Sequence, residues 1–139
     1  MLKEYETRTK EKGALATNDE DRKALAFAEQ MVNRLGIRPT FNGRKYLVHA
    51  VLYGIKDPAV LDVLTKELYP KVARQHATSA QCVERSIRHA IAQAWGSPNG
   101  IADSWCEIFA PFGAFSPDMR PTTGEVITML TMLYRNAQG

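Results

Sequence analysis

The sequence predicts an all-α, compact domain of six helices that contains a helix-turn-helix. Apolar residues recur at helical spacing through most of the 139 residues. Residues that commonly start and stop helices flank these segments, and no stretch alternates polar and apolar residues as a half-buried strand does. The chain length suits one domain, and the hydrophobic fraction of 45% is ordinary for a globular protein.

The first predicted helix follows a charged segment. Residues 1–17 contain few apolar groups, so we expect a flexible tail or a linker remnant there, ahead of a helical domain at 18–139. Asn18 or Thr17 is expected to cap the helix, and Gly36 with Pro39 ends it. Its inward positions are Leu25, Ala28, Val32 and Leu35.

Two further helices are predicted before residue 70. One begins near Gly43 and turns Tyr46, Leu47, Ala50 and Val51 inward. His49 on this helix is interpreted as a half-exposed structural histidine, because no metal-ligating residue lies three or four positions away. The next opens at Asp57-Pro58 and either kinks or restarts at Pro70. Its inner side carries Val60, Leu61, Leu64 and Leu68.

The segment at about 70–95 has the layout of a helix-turn-helix. A brief helix with Pro70 in its first turn precedes Thr78, which we interpret as an N-cap, with Gln81 completing a capping box. A helix over 79–95 then runs without Gly or Pro until Gly96. One side of this helix is apolar and predicted to be buried: Val83, Ile87, Ala90, Ile91 and Ala94.

Two helices are expected in the C-terminal part. The first is short, at 101–109, with Trp105, Ile108 and Phe109 turned inward. The segment that follows is too rich in Pro and Gly to be regular. Thr122 is expected to cap the last helix, with Glu125 at the capping-box position.

The charge distribution and the missing motifs narrow the function. The net charge is +3, but residues 66–88 carry five basic and two acidic side chains, whereas residues 89–139 carry two basic and four acidic ones. Positive charge concentrated around the helix-turn-helix favours a polyanion as partner. No apolar run is long enough to cross a membrane, and no secretory signal is present. Neither a metal site nor a cofactor motif nor a nucleophile–base pair is found, so we predict no enzyme; Cys82 and His89 lie two helical turns apart.

Two sequence segments are specific enough to indicate a protein family: LYPKVA at 68–73 and VERSIRHAIAQAW at 83–95. They resemble the C-terminal effector domain of the sporulation initiation regulator, the stage-zero sporulation protein A family. That family has Leu-Tyr-Pro-x-Ile-Ala, then Val-Glu-Arg-Ala-Ile-Arg-His-Ala-Ile and Ala-Trp at the same separations. The likeness covers roughly residues 24–136, and it implies a cytoplasmic, nucleoid-associated regulator that binds promoter DNA.

The resemblance also implies which residues contact DNA. Glu84 and Arg85 match the family's Glu-Arg and suit base edges, and Gln81 lies one turn earlier on the same face. The family has an arginine that contacts bases where this chain has Cys82. Gln81 can contact adenine instead, and the usual box of the family is expected to be recognised either poorly or in altered form. Contacts to phosphates or flanking DNA are predicted for Lys71, Arg74, Thr78, Ser79, Arg88, His89 and Arg120.

Several alternatives stay open at this point. A module of the same fold that has lost base contacts would bind a protein partner, such as an RNA polymerase sigma subunit. A dimer on tandem DNA sites is a further expectation. In the family a phosphorylated receiver domain precedes the effector domain, so the chain is either an excised effector domain or a stand-alone relative, and the opening Met favours the second.

Overall fold

The computed structural model describes residues 18–39, 41–97, 101–113 and 118–138, and within these ranges the chain is helical without a strand. The predicted tail at 1–17, including the alternative cap Thr17, lies outside the described residues. The α-helices are α1 (Asp19–Arg34), α2 (Asn42–Lys56), α3 (Tyr69–Gln75), α4 (Ala80–Trp95), α5 (Ile101–Ile108) and α6 (Thr123–Gln138). The predicted all-α class and six-helix architecture are confirmed. No described helix has the length and hydropathy that crossing a bilayer requires.

Side-chain caps begin two of the helices where the sequence predicted them. The Asn18 side chain accepts a hydrogen bond from the backbone N–H of Asp21 at 2.8 Å. Thr122 and Glu125 form a complete capping box: each side chain accepts a hydrogen bond from the other's backbone N–H. These bonds satisfy amides that have no partner inside the helix, and so they define where α1 and α6 start.

The predicted cap of α4 is wrong by one residue. Ser79, not Thr78, is the N-cap: its hydroxyl accepts from the backbone N–H of Cys82 at 3.1 Å. Gln81 is exposed and lies only two positions after this cap, so it cannot complete a capping box. The reason lies in the preceding turn, which places the first helical residue at Ala80.

The chain between α2 and α3 also differs from the single α-helix predicted there. A 3₁₀ helix (Pro58–Asp62), opened by the Asp57 side chain, is followed by a π turn (Leu64–Leu68) that leads directly into α3. Pro70 explains the wider turn, because in an α-helix its ring would clash with the carbonyl four residues earlier. Val60 and Leu68 are buried as predicted, whereas Leu61 and Leu64 are half-buried.

Helix α2 is the centre of the packing, because α1, α4 and α6 all contact it. A Cβ atom added at Gly43 would overlap the backbone carbonyl of Ser86 and lie 2.9 Å from Ala90 Cβ. Near its other end, a Cβ at Gly54 would lie 2.7 Å from the hydroxyl of Thr131 on α6. The absence of side chains at these two glycines therefore allows α2 to approach both neighbours closely.

The buried face of α4 is the one that the sequence predicted: Val83, Ile87, Ala90, Ile91 and Ala94 are all buried. The predicted inward residues of α5, Trp105, Ile108 and Phe109, are buried as well. On α6 the residues Val126, Ile127 and Leu130 are buried, and Leu133 is half-buried. Trp105 is 1% exposed and donates its ring N–H to the carbonyl of Leu35 at 2.8 Å. Trp95 is only half-buried and contacts Trp105 edge-on, with 5.4 Å between ring centroids.

A tight turn joins α3 to α4. Ala77 has φ 53°, in the left-handed region that is costly for a residue with a Cβ. The Thr78 N–H donates to the Ala73 carbonyl at 2.9 Å, and the Ala77 N–H donates to Arg74 at 3.5 Å. This is the Schellman pattern, with alanine in the place where glycine is commonest.

Replacing Gly43 with Ala should lower the free energy of unfolding by about 2–3 kcal/mol, because the new methyl group meets backbone that only a shift of α4 can move. Chemical denaturation measures this change. Gly96→Ala is the control: that Cβ would lie 3.3 Å from a single carbonyl oxygen, and we expect a change within about 0.5 kcal/mol. Equal stabilities for both variants would contradict the close approach of α2 and α4.

Replacing Ala77 with Gly should raise the free energy of unfolding by about 0.5–1 kcal/mol, because glycine accepts a positive φ without a steric cost. The same exchange inside α4, Ala92→Gly, should lower it by about 1 kcal/mol. Thermal and denaturant melts of the two variants should therefore move in opposite directions. A loss of stability in Ala77→Gly would show that the turn differs from this geometry.

Candidate nucleic-acid interface

Helices α3 and α4 form a helix-turn-helix with a four-residue turn, 76–79. Tyr69, Val72 and Ala73 of α3 are buried, and the apolar stripe of α4 packs on the core beneath them. Because the stripe occupies one side of α4, its opposite side faces solvent along the whole helix. That arrangement is typical of a recognition helix, the helix that enters the major groove of DNA.

The residues predicted to contact bases lie together on this exposed side, next to Arg88 and His89, which are predicted to contact phosphates or flanking DNA. Gln81, Arg85 and Arg88 are exposed, and His89 is exposed next to them. Glu84 lies at one edge, with 34% of its side chain accessible and its carboxylate 3.6 Å from the Arg88 guanidinium. Arg85 borders a cleft on each flank of the helix. It therefore lies on the line of α4 that projects furthest into solvent, which we call the crest.

The larger cleft lies between α4 and the π turn. Its volume is about 500 Å³, and it is lined by Thr65, Tyr69, Ala80, Gln81, Glu84, Arg85 and Arg88. Burial, with a smaller contribution from the nearby Glu84 carboxylate, raises the pKa of Tyr69 to about 12. The Tyr69 hydroxyl is therefore protonated, and able to donate a hydrogen bond, at any physiological pH.

The smaller cleft lies between α4 and the start of α2. It encloses about 300 Å³ and is lined by Phe41, Asn42, Gly43, Arg85, Ser86 and His89. The His89 ring meets the Phe41 ring edge-on, with 6.1 Å between centroids. This contact holds His89 beside the N-terminal end of α2.

Cys82 lies on the flank of α4 that faces α2. Its sulfur is 3.8 Å from the Ser86 hydroxyl. Hydrogen bonds from Thr78 and then Ser86 are the main causes that lower the pKa of the Cys82 thiol, and Tyr46 on α2 contributes another. The side chain is half-buried and so lies to one side of the crest at Arg85.

The predicted flanking residues are spread more widely. Arg74 and Arg120 are exposed, the latter just before α6. Lys71 is half-buried, and its ammonium lies 5.7 Å from the centre of the Tyr53 ring on α2, away from the crest of α4. Thr78 and Ser79 are both in the turn, where Thr78 lies near the Cys82 thiol and Ser79 caps α4.

One contact between two histidines was not predicted from the sequence. His49 of α2 is stacked on His76 in the turn, with Nδ1 of His49 2.6 Å from Nε2 of His76. Tyr46 also contacts the His76 ring edge-on. The two histidines are 27 residues apart, so no local spacing could have indicated the pair. Within the described residues no group of three or more His, Cys, Asp or Glu side chains could hold a metal ion.

Comparison with known families agrees with this geometry. The family model described as the C-terminal domain of sporulation initiation factor Spo0A matches residues 28–133, which are 106 of the 139 residues. The matched range includes all of α2, α3, α4 and α5, with both clefts, the last seven residues of α1 and most of α6. This is a family of helical DNA-binding domains and not of enzymes. The chain belongs to the family of C-terminal DNA-binding effector domains of sporulation initiation factor Spo0A.

Proposed function

We propose that this chain is a sequence-specific DNA-binding regulator of transcription that inserts α4 into the major groove. The observation that carries the proposal is the division of α4 into two sides: every predicted apolar position is buried, and Gln81, Arg85 and Arg88 are exposed on the other side. A polar helix face standing between two clefts fits a groove bounded by two sugar–phosphate strands. On this proposal residues 18–139 act as one effector domain.

The base contacts are assigned to Gln81, Glu84 and Arg85. Arg85 occupies the crest, and a guanidinium there can donate two hydrogen bonds to O6 and N7 of one guanine. Gln81 precedes it by one turn and can pair with an adenine edge. Glu84 can accept from the amino group of a cytosine, because its ion pair with Arg88 leaves one carboxylate oxygen available.

The phosphate and flanking contacts are assigned to Lys71, Arg74, Thr78, Ser79, Arg88, His89 and Arg120. Arg88 and His89 flank the crest of α4, one toward each cleft. Arg120 precedes α6, whose first turn packs beside the π turn: a Cβ added at Gly124 would lie 2.8 Å from Leu64 Cδ1. These residues lie around α4, and their contacts would fix the register of α4 on the duplex.

Cys82 gives this chain a different set of base contacts from the arginine that the resembled family carries there. The Cys82 side chain is half-buried beside Ser86 and much shorter than an arginine, so on this proposal it makes no contact to a base. We therefore expect Gln81 and Arg85 to account for more of the discrimination, and the preferred DNA sequence to differ from the usual box of the family.

Loss of a phosphate contact should flatten the salt dependence of binding. Arg74→Ala and Arg120→Ala should each weaken all duplexes alike and reduce the slope of log K against log[salt] by about one unit. Lys71→Ala should do the same to a smaller extent, since the ammonium must leave the Tyr53 ring to reach DNA. Fluorescence anisotropy titrations between low and moderate salt measure the slopes.

Arg135→Ala is the matched control, because it removes the same charge from the exposed C-terminal end of α6. It should leave the slope unchanged. Unchanged slopes for the three interface variants as well would contradict this docking. An absence of duplex affinity in the unmodified protein even at low salt would instead favour a module that binds protein partners.

Arg85→Ala should lose discrimination at a single G·C pair by about 1–3 kcal/mol, because it removes a guanidinium that contacts one base. Competition titrations against duplexes with each base pair replaced in turn measure this loss. Arg88→Ala on the same helix is the control and should weaken every duplex equally. If Arg85→Ala also weakens every duplex equally, Arg85 contacts phosphate and the orientation of α4 in the groove is wrong.

A further inference from the structure

The larger cleft beside α4 contains two hydroxyl groups that neither the fold nor the assigned base contacts use. Thr65 belongs to the π turn and is exposed. Tyr69 is the first residue of α3 and is only 6% exposed, yet it lines the cleft. Within the described part of the chain, the Tyr69 hydroxyl has no hydrogen-bond partner. The Tyr69 ring is therefore held in place by burial, while its hydroxyl is able to donate a hydrogen bond to a ligand in the cleft.

The charges around the cleft favour an anion. Arg85 and Arg88 border it, and Glu84 is the one acidic residue among those that line it. The Glu84 carboxylate is paired with Arg88, which offsets its repulsion of a second anion. On the π turn next to Thr65, Lys66 and Glu67 are both exposed, and their opposite charges offset each other.

The position of the cleft selects the kind of anion. It runs along the flank of α4 and shares Gln81, Glu84 and Arg85 with the face assigned to the bases. When a helix occupies the major groove, a sugar–phosphate strand runs along each of its flanks. A volume of about 500 Å³ is large enough for a phosphate with its attached sugar.

We propose that this cleft binds a backbone phosphate of the DNA strand beside α4, with the hydroxyls of Tyr69 and Thr65 as neutral hydrogen-bond donors and Arg88 as the cation. The inference rests on the proposed function and adds the π turn to the interface. Hydroxyl contacts to phosphate fix the register of a protein on DNA without reading sequence. The π turn, which results from the position of Pro70, thereby gains a role in docking.

Tyr69→Phe tests the proposal, because it removes the hydroxyl and leaves the buried ring in place. Affinities are measured for the duplex sequence that the unmodified protein prefers, selected from a random library, and for a scrambled duplex, at several salt concentrations. The variant should weaken both by about 3- to 10-fold, the loss expected for one hydrogen bond. The salt slope should stay unchanged, because a neutral donor displaces no counterion. Thr65→Val, which also removes only a hydroxyl, should act in the same way.

Tyr134→Phe is the matched control. Tyr134 is a largely buried tyrosine on α6, and removal of its hydroxyl should leave the affinity for both duplexes unchanged. A scan with duplexes that carry one uncharged methylphosphonate at successive positions locates the phosphate. At one position the methylphosphonate should abolish the difference in affinity between the unmodified protein and Tyr69→Phe.

Three results would overturn the inference. Full affinity of Tyr69→Phe for both duplexes would show that the hydroxyl meets no phosphate. A loss of affinity confined to the preferred sequence would show that Tyr69 acts on the bases through Glu84. A methylphosphonate scan without any such position would exclude a phosphate partner. In each case the unmodified protein still binds DNA, whereas failure of the proposed function itself would abolish its duplex affinity.

Discussion

The contact between the start of α2 and the middle of α4 is the constraint on which the rest of the interface depends. Gly43 lies against the backbone of Ser86 and the side chain of Ala90, at a separation that no larger residue allows. The same α2 helix contacts α1 and α6, and Gly54 gives it an equally close approach to Thr131. Helix α2 therefore fixes the position of α4 relative to the core.

This contact determines which side of α4 faces outward. With Ser86 and Ala90 held against α2 and the apolar stripe in the core, Arg85 is left at the crest. The His49–His76 pair adds a second link between α2 and the turn before α4. Two attachments, one at the turn and one at mid-helix, restrict both the rotation and the tilt of α4, which is the restriction that sequence-specific contacts to bases require.

The sequence predicted the parts of this structure that depend on local chemistry. The buried stripe of α4 and the caps at Asn18 and Thr122 follow from side chains within a few residues of each other. The cap at Ser79 was missed because two adjacent hydroxyl residues are equally suitable, and the left-handed Ala77 decides between them.

Long-range features could not be predicted in this way. The His49–His76 pair and the two clefts join residues from separate helices, and a single sequence contains no signal for such neighbours. The π turn depends on the conflict between Pro70 and a regular helix, for which the sequence allowed either a kink or a restart. The position of the Tyr69 hydroxyl in the cleft could not be predicted for the same reason. The spacing of Tyr69 on α3 indicates only that its ring is buried.

Selection of bound sequences from a random duplex library tests most directly the claim that α4 recognises DNA by sequence. The unmodified protein should enrich one short motif that contains a G·C pair, because Arg85 stands at the crest and guanine is the base that its guanidinium prefers. Binding without enrichment of any motif would contradict the claim, since it would show that the exposed face of α4 contacts only the DNA backbone.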